Sequence, residues 1–210
     1  MKKYLKINKE TYNKTIGDAK KGIIKKKNNY NKIINKACKF FDKNSNVLEL
    51  GPGNGYVSKT LSEKGYKVIA IEFAENRARV VKKLAPRVKI INDEFLQHNF
   101  GGENFSAIFA IYFIHLFPPK ELTKTIKKIH KLLKKDGLVI ITTDLNKKPK
   151  EGFFQHPFAK FKALRYRRNF TKKEIKNLLN KNKFKILKYF KDKDQLDSKK
   201  IWVTYIAKKV

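Results

Sequence analysis

Short apolar runs alternate with amphipathic segments through the middle of the chain. The apolar runs predict strands at 46–50, 67–71, 88–92, 105–111 and 138–142. Between them, apolar positions recur with helical spacing over 54–64, 75–84 and 121–134. Strands that are apolar on both faces and alternate with helices predict a parallel sheet that is covered by helices on both sides.

The C-terminal third departs from this alternation. Thr171 and Glu174 have the spacing of a capping box, which predicts a helix that ends near residue 182. Two strand-like runs follow, at 184–189 and 201–207, and a polar segment joins them. Strands joined in this way are typically antiparallel neighbours. The sequence therefore predicts an α/β fold: a doubly wound, seven-stranded, mostly parallel sheet that ends in an antiparallel C-terminal hairpin.

A lysine- and asparagine-rich segment, residues 1–42, precedes the first predicted strand. We predict a loosely ordered start and then a helix, because apolar residues recur there at roughly helical spacing: Ile23, Ile24, Ile33, Ile34 and Ala37. The length of 210 residues suits one α/β domain with a core of its own. We assign that domain to residues 43–210.

The charge balance is unusual, with 51 Lys and Arg residues against 18 Asp and Glu and a formal net charge of +33. Such a field attracts polyanions, RNA among them. However, only six of the basic residues are arginine, the residue that nucleic-acid readers use for bidentate contacts. A lysine-, asparagine- and isoleucine-rich composition is also what an AT-rich genome would encode on any protein surface. Both interpretations of the charge stay open.

Several classes of protein are excluded by what the chain lacks. No apolar run is long enough to span a bilayer, and the N-terminus has no apolar signal-peptide core. The single cysteine, Cys38, excludes an internal disulfide framework and a cysteine-based metal site. The histidines show no metal-ligand spacing. We predict a cytoplasmic protein with no membrane partner and no metal.

A glycine-rich turn, within VLELGPGNGYVS at 47–58, follows the first predicted strand. Glycine lets the backbone turn tightly and approach a ligand closely, and doubly wound sheets bind ligands at the carboxyl ends of their strands. A P-loop would need Lys and Ser or Thr after the last glycine, and a dinucleotide turn would need glycine at position 56, which is tyrosine. The actual pattern is Glu49-x-Gly51-x-Gly53-x-Gly55.

This pattern resembles motif I of the class I S-adenosylmethionine-dependent methyltransferases, and the resemblance covers roughly residues 44–145. Glu72, at the tip of the second strand, matches the acidic ribose ligand of that family. Asp93 matches the position that contacts adenine, and Phe95 could lie on the ring face. The resemblance implies S-adenosyl-L-methionine as the cofactor and these cofactor-binding residues: Glu49, Gly51, Gly53, Gly55, Glu72, Phe73, Asp93, Glu94 and Phe95.

The catalytic half of the site is less defined by the sequence. Methyl transfer from a sulfonium depends mainly on orientation, and it needs a base only if the nucleophile must lose a proton. His115, just beyond the fourth strand, is the candidate base, with a pocket-lining role as the alternative. Tyr112 could form one boundary of the site of methyl transfer. The adenine-N6 signature, (Asn/Asp)-Pro-Pro-(Tyr/Phe), is absent at the end of the fourth strand, where residues 110–113 read "AIYF". The chain also has no Pro-Cys pair for cytosine-C5 chemistry.

The segment 152–170 lies where this family carries substrate-recognition insertions, and it combines three arginines with aromatic residues that include Phe153, Phe154, Phe158 and Phe161. Such a strip could stack bases and hold phosphates. It could equally form the underside of a lid over a small substrate, and the lid is favoured because the aromatic spacing is also compatible with a short packed helix.

The sequence as a whole predicts a methyltransferase with a small-molecule acceptor as the favoured substrate. The alternatives are an RNA or nucleic-acid-associated protein methyltransferase, and a non-catalytic RNA-binding protein that retains the fold. Nothing in the sequence indicates the oligomeric state.

Overall fold

The computed structural model describes residues 1–156, 159, 161–194 and 200–210. For residues 17–26 it describes the backbone and not the side chains. Three side chains named above, those of Ile23, Ile24 and Phe158, lie outside the described residues. Half of the polar segment that joins the last two strands, residues 195–199, also lies outside them.

The described part of the chain alternates helices and strands in the order that the sequence predicts. Its strands are β1 (Asn46–Leu50), β2 (Lys67–Ile71), β3 (Lys89–Ile91), β4 (Phe105–Ile111), β5 (Leu133–Leu145), β6 (Glu151–Gln155), β7 (Leu164–Arg168), β8 (Phe184–Lys193) and β9 (Ile201–Lys209). Its α-helices are α1 (Lys3–Lys14), α2 (Ile16–Ala37), α3 (Tyr56–Glu63), α4 (Glu75–Leu84), α5 (Pro119–Leu132) and α6 (Lys172–Lys181).

Seven of these strands form one sheet in the order β3-β2-β1-β4-β5-β9-β8. The pairs from β3 to β5 are parallel, whereas β9 is antiparallel to both β5 and β8. The predicted α/β fold with an antiparallel C-terminal hairpin is confirmed. Strand order reverses between β1 and β4, which is the point where open α/β sheets bind ligands.

Successive side chains of a strand point to opposite faces of the sheet, and helices cover both faces here. In β1, Leu48 and Leu50 belong to the core layer under α5 and α6, whereas Val47 belongs to the opposite layer, which α2 and α3 cover. This double burial explains why the strands read as continuous apolar runs. It also holds the turn after β1 rigidly at one edge of the sheet.

The fifth strand differs from its prediction, since β5 begins at Leu133 and reaches Leu145. Residues 135–137, between the predicted helix and the predicted strand, form an irregularity within β5, where the pairing with β4 shifts register and Asp136 adopts a left-handed φ of 61°. A Cβ on Gly137 would lie 2.9 Å from the carbonyl oxygen of Lys134, so the bend excludes a side chain there. The capping box is confirmed, because Thr171 and Glu174 exchange both of its hydrogen bonds.

Two segments outside the sheet differ from what their local spacing indicates. The chain starts with an ordered helix, α1, and not with a loosely ordered stretch. The segment 152–170 holds the antiparallel pair β6–β7 in its described residues, and not a packed helix. In this pair Phe153 lies opposite Tyr166, so aromatic residues that fit helical spacing are distributed across two strands. Contact with α1, which local spacing does not reveal, stabilises this arrangement.

Candidate functional site

A cavity of about 550 Å³ lies at the carboxyl ends of β1, β2 and β4. Its volume falls within the range of about 300–1,000 Å³ that is usual for small-molecule sites. One wall comes from the strand ends and the glycine turn. The opposite wall comes from α1, β7 and the residues around the start of β9. Of the predicted site residues, all but Gly55 line this cavity.

The glycine turn presents bare backbone to the cavity. Gly51 and Gly53 have φ angles of 63° and 57°, in the left-handed region that side chains disfavour. A Cβ on Gly51 would lie 2.9 Å from the ring of Phe113. Gly55 has a different role, because it lies behind the turn, where a Cβ would meet Val81 of α4 at 3.3 Å. It therefore permits close packing of the turn against α4.

Two buried carboxyl groups, Glu49 and Glu72, face the cavity. Glu49 accepts a hydrogen bond from the Ser58 hydroxyl, and burial raises its pKa to about 7. Glu72 accepts a hydrogen bond from the backbone N–H of Ala74 at 3.0 Å. Burial raises the pKa of Glu72 as well, although the nearby Arg77 guanidinium opposes that rise. A cationic or hydroxyl-bearing ligand would offset the cost of burying these two groups.

The tip of β3 contributes Asp93, Glu94 and Phe95 to the same wall. The Asp93 carboxylate accepts from the backbone N–H of Glu94 at 2.7 Å and lies 2.9 Å from Nδ1 of His98. This contact with His98 lowers the pKa of Asp93. Phe95 is buried, and its ring centroid lies 6.0 Å from that of Phe113 in an edge-on arrangement. The site therefore has an apolar floor bordered by carboxylates.

The two candidate catalytic residues, Tyr112 and His115, lie just beyond the end of β4 and line the cavity. Tyr112 has a left-handed φ of 57°, and its backbone N–H donates to the carbonyl of Thr142 at 3.0 Å. Its ring centroid lies 4.3 Å from that of Trp202. Burial raises the pKa of Tyr112, which keeps its phenol neutral. His115 is buried in a 3₁₀ turn, with its ring centroid 6.1 Å from that of Trp202.

Helix α1 is a part of the site that the sequence analysis missed. Tyr4, Asn8 and Tyr12 occur every fourth residue and line the cavity from one helix face. Asn8 accepts a hydrogen bond from the backbone N–H of Tyr166 at 2.7 Å and donates to its carbonyl at 3.5 Å. These bonds join α1 to β7, so both elements cover the cavity together. The four-residue spacing was visible in the sequence, but its partner strand was not.

Arg77 of α4 is a second residue that the sequence analysis missed. Its Nε donates to the carbonyl of Tyr12 at 3.1 Å, and Nη2 donates to the Thr15 hydroxyl at 3.2 Å. The guanidinium also lies 4.4 Å from the ring centroid of Tyr12. Its Nη1 is 3.5 Å from the position that a Cβ on Gly53 would take. A fixed cation therefore lies beside the bare backbone of the turn.

Among the described residues, no group of three or more His, Cys, Asp and Glu side chains is arranged to hold a metal ion. In that same part of the chain, no helix has both the length and the hydrophobicity to cross a bilayer.

A family profile described as "Methyltransferase domain" matches residues 24–189 of this chain. An uncharacterized methyltransferase of Geobacillus sp. (strain WCH70) is 33% identical over 113 residues, which cover 53% of this chain and 52% of that protein. One from Oceanobacillus iheyensis is 30% identical over 94 residues, covering 45% and 44%. The chain thus spans about half the length of the curated relatives it matches.

Among solved structures, the chain is similar to Burkholderia thailandensis 1,6-didemethyltoxoflavin-N1-methyltransferase, crystallised with bound 1,6-didemethyltoxoflavin and S-adenosylhomocysteine. The TM-score is 0.81, at 18% sequence identity, and the match covers 99% of this chain and 89% of that one. At this identity the likeness shows a shared fold.

Proposed function

This chain belongs to the class I S-adenosylmethionine-dependent methyltransferases, and we propose that it methylates a small molecule enclosed within the cavity. The match to the methyltransferase domain over more than half of the chain confirms the family predicted from the sequence, and with it S-adenosyl-L-methionine as the family's cofactor. The methyl acceptor has to be inferred from the lining of the cavity.

The residues at the strand ends fit this cofactor. The bare backbone of Gly51 and Gly53 leaves room for an amino-acid tail, and Arg77 beside the turn suits the tail's carboxylate. Glu72 at the tip of β2 suits the ribose hydroxyls, and the loop 93–95 suits the adenine. When bound, S-adenosylmethionine supplies an electrophilic methyl group on a sulfonium.

A single observation carries the small-molecule acceptor: α1 and β7 together cover the cavity. The bonds between Asn8 and Tyr166 close this side, and Thr11 adds a bond to the carbonyl of Leu164. A nucleic-acid strand requires an open groove that follows its backbone. A covered cavity instead limits the access of water and holds a small acceptor in one orientation, which is the main requirement of an in-line displacement. The structurally similar Burkholderia enzyme was crystallised with a small heterocycle bound, which supports the same class of acceptor.

His115 and Tyr112 have separate roles in this proposal. His115 is buried in the cavity wall beyond β4, where it would accept a proton from an acceptor that must lose one. Tyr112, neutral because burial raises its pKa, would limit the space beside the reacting atom. An acceptor that already has a free lone pair would need no base, so only the steric role of Tyr112 would apply.

The experiment is incubation of the protein with methyl-labelled S-adenosylmethionine and cell extract separated into metabolites, RNA and protein. We expect label in the metabolite fraction for the wild type and for Glu75→Gln, an exposed control on α4, and no label for Glu72→Ala. Label that enters RNA or protein instead would overturn the small-molecule acceptor. Binding of S-adenosylhomocysteine in calorimetry without any labelled product would favour the non-catalytic RNA-binding alternative.

A further inference from the structure

We propose that the methyl acceptor is a small organic acid whose carboxylate pairs with Arg165, in the part of the cavity that α1 and β7 cover. This inference rests on the proposed function and names the substrate class of the same site. It comes from an imbalance of charge between the two walls.

The wall formed by the strand ends and the glycine turn is called the cofactor wall, and the wall formed by α1, β7 and the residues around the start of β9 is called the acceptor wall. The two walls carry opposite charges. On the cofactor wall, the ionisable groups near the strand ends are mainly acidic: Glu49, Glu72, Asp93 and Glu94. On the acceptor wall, three cations line the cavity: Arg165 and Arg167 from β7, and Lys200 just before β9. A cation such as a sulfonium is favoured at the first wall, and an anion is favoured at the second.

The carboxylates near the acceptor wall are already engaged. Asp144 lies 2.9 Å from Nη2 of Arg167 and 3.6 Å from Nζ of Lys200, so it is shared by two cations. Asp194 accepts a hydrogen bond from Nε1 of Trp202. Two carboxylates therefore face three cations among the described residues, which leaves one positive charge in excess.

Arg165 is the cation that these carboxylates do not reach. Its Nη1 donates to the Tyr12 hydroxyl at 3.3 Å. Its Nε is buried with no hydrogen-bond partner, and it forms no ion pair within the part of the chain that the structure describes. A buried donor without a partner costs free energy, and a carboxylate is the acceptor whose planar geometry best fits a guanidinium. A bound organic acid would remove that cost.

The neighbouring groups respond to the same excess of positive charge. Burial, and after it the nearby Arg167, lowers the pKa of Lys200 to about 8. Burial, with Arg165, Arg77 and Arg167 around it, lowers the pKa of His156 to about 3. His156 is therefore neutral at physiological pH and adds no charge of its own. Both shifts agree with a region of positive potential that a bound anion would reduce.

The body of the acceptor is expected to be flat and apolar. Aromatic and aliphatic side chains from α1, from the residues after β4 and from β9 also line the cavity: Tyr4, Leu5, Tyr12, Leu116, Phe117 and Trp202. Such a lining is favourable for an aromatic or otherwise planar acid, since rings pack well against rings.

Trp202 provides a direct readout because it is the single tryptophan of the chain and lines the cavity. The experiment titrates benzoate, and separately the neutral isostere benzamide, while tryptophan fluorescence is recorded with and without saturating S-adenosylhomocysteine. We expect benzoate to bind at least about ten-fold more tightly than benzamide, as a charge-assisted hydrogen bond implies. Equal affinities, or no binding of benzoate, would overturn the proposal.

Variants identify the cation responsible. We expect Arg165→Gln to remove the preference for benzoate and Arg165→Lys to retain part of it, because lysine keeps the charge. Arg79→Gln, an exposed arginine on α4, is the matched control and should behave as wild type. If Arg165→Gln keeps the full preference, the assignment to Arg165 is wrong. Retention of partial preference by Arg165→Lys also shows that the site tolerates substitution.

The cofactor's own carboxylate is the other source of this chemistry, and calorimetry separates the two. We expect Arg165→Gln to leave the affinity for S-adenosylhomocysteine unchanged. If the variant weakens S-adenosylhomocysteine but not 5′-methylthioadenosine, which lacks the amino-acid tail, Arg165 holds the cofactor and the organic-acid proposal is overturned. If S-adenosylhomocysteine does not bind the wild type, the proposed function fails, whereas the benzoate titration without it still tests the anion site.

Discussion

The two walls of the cavity are built in different ways. The cofactor wall comes from one stretch, residues 49–95, in which most functional residues lie at or just beyond the end of a sheet strand. The acceptor wall joins segments that are distant in the chain, as the bonds between Asn8 and Tyr166 show across 158 positions. The first wall depends on local motifs and on parallel strands that end at the same edge. The second depends on the docking of a helix onto a hairpin.

The largest effect is expected for Glu49 on the cofactor wall. Burial raises its pKa from an ordinary 4.5 to about 7, so the folded state holds this proton more tightly than the unfolded state does. The stability from that proton is complete below about pH 4.5 and is lost as pH rises through about 7. Between pH 5 and pH 8, the free energy of unfolding of the wild type should fall by about 2–3 kcal/mol more than that of Glu49→Gln.

Denaturant titrations at both pH values measure this difference, and Glu63→Gln, at an exposed position of α3, is the control. Equal pH dependence in the wild type and Glu49→Gln would mean that Glu49 does not carry a raised pKa in the folded protein.

The next largest effect concerns Glu72 and separates ligand binding from folding. Removal of a charged hydrogen-bond acceptor typically costs about 1.5–3 kcal/mol, so Glu72→Ala should weaken S-adenosylhomocysteine about 10- to 100-fold in calorimetry. Glu75→Ala changes a nearby but exposed carboxylate and should leave the affinity unchanged. An unaltered affinity in Glu72→Ala would remove this residue from the cofactor wall.

Arg77 tests where the cofactor wall ends, because its guanidinium contacts Tyr12 of α1 as well as the glycine turn. We expect Arg77→Gln to weaken S-adenosylhomocysteine about ten-fold, through loss of one charge-assisted contact. Its affinity for 5′-methylthioadenosine should not change. Equal weakening of both ligands would show instead that Arg77 acts by holding α1 in place.

The smallest effect is expected for Asn8, which belongs to the acceptor wall alone. Asn8→Ala removes two hydrogen bonds between α1 and β7 and should lower the local stability of α1 by about 1–2 kcal/mol. Hydrogen exchange should then show faster exchange over residues 3–14, with protection of β1 and β2 unchanged. Lys6→Ala, on the exposed face of α1, is the control. Faster exchange throughout the sheet would contradict the separation of the two walls.

Much of the fold was predictable because local patterns determine it. The bounds of β1, β2, β4 and α4 agree with their predictions residue for residue, since double burial leaves short apolar runs with clear ends. The hairpin β6–β7 was not predictable, because its aromatic residues fit helical spacing and its pairing depends on contact with α1. The spacing of residues within one short segment does not predict such a long-range contact.

The sequence by itself determined the family and the order along the chain of the strands in the main sheet, because these follow from short-range spacing. It also predicted most of the residues that line the strand-end wall of the cavity, because parallel strands end at one edge. Only the tertiary structure assigned Gly55 to helix packing, placed Arg77 beside the turn and brought Arg165 to Tyr12 in the cavity lining. The physical reason is distance along the chain. Burial and charge at these positions depend on partners many residues away, and these partners come together only when the chain folds.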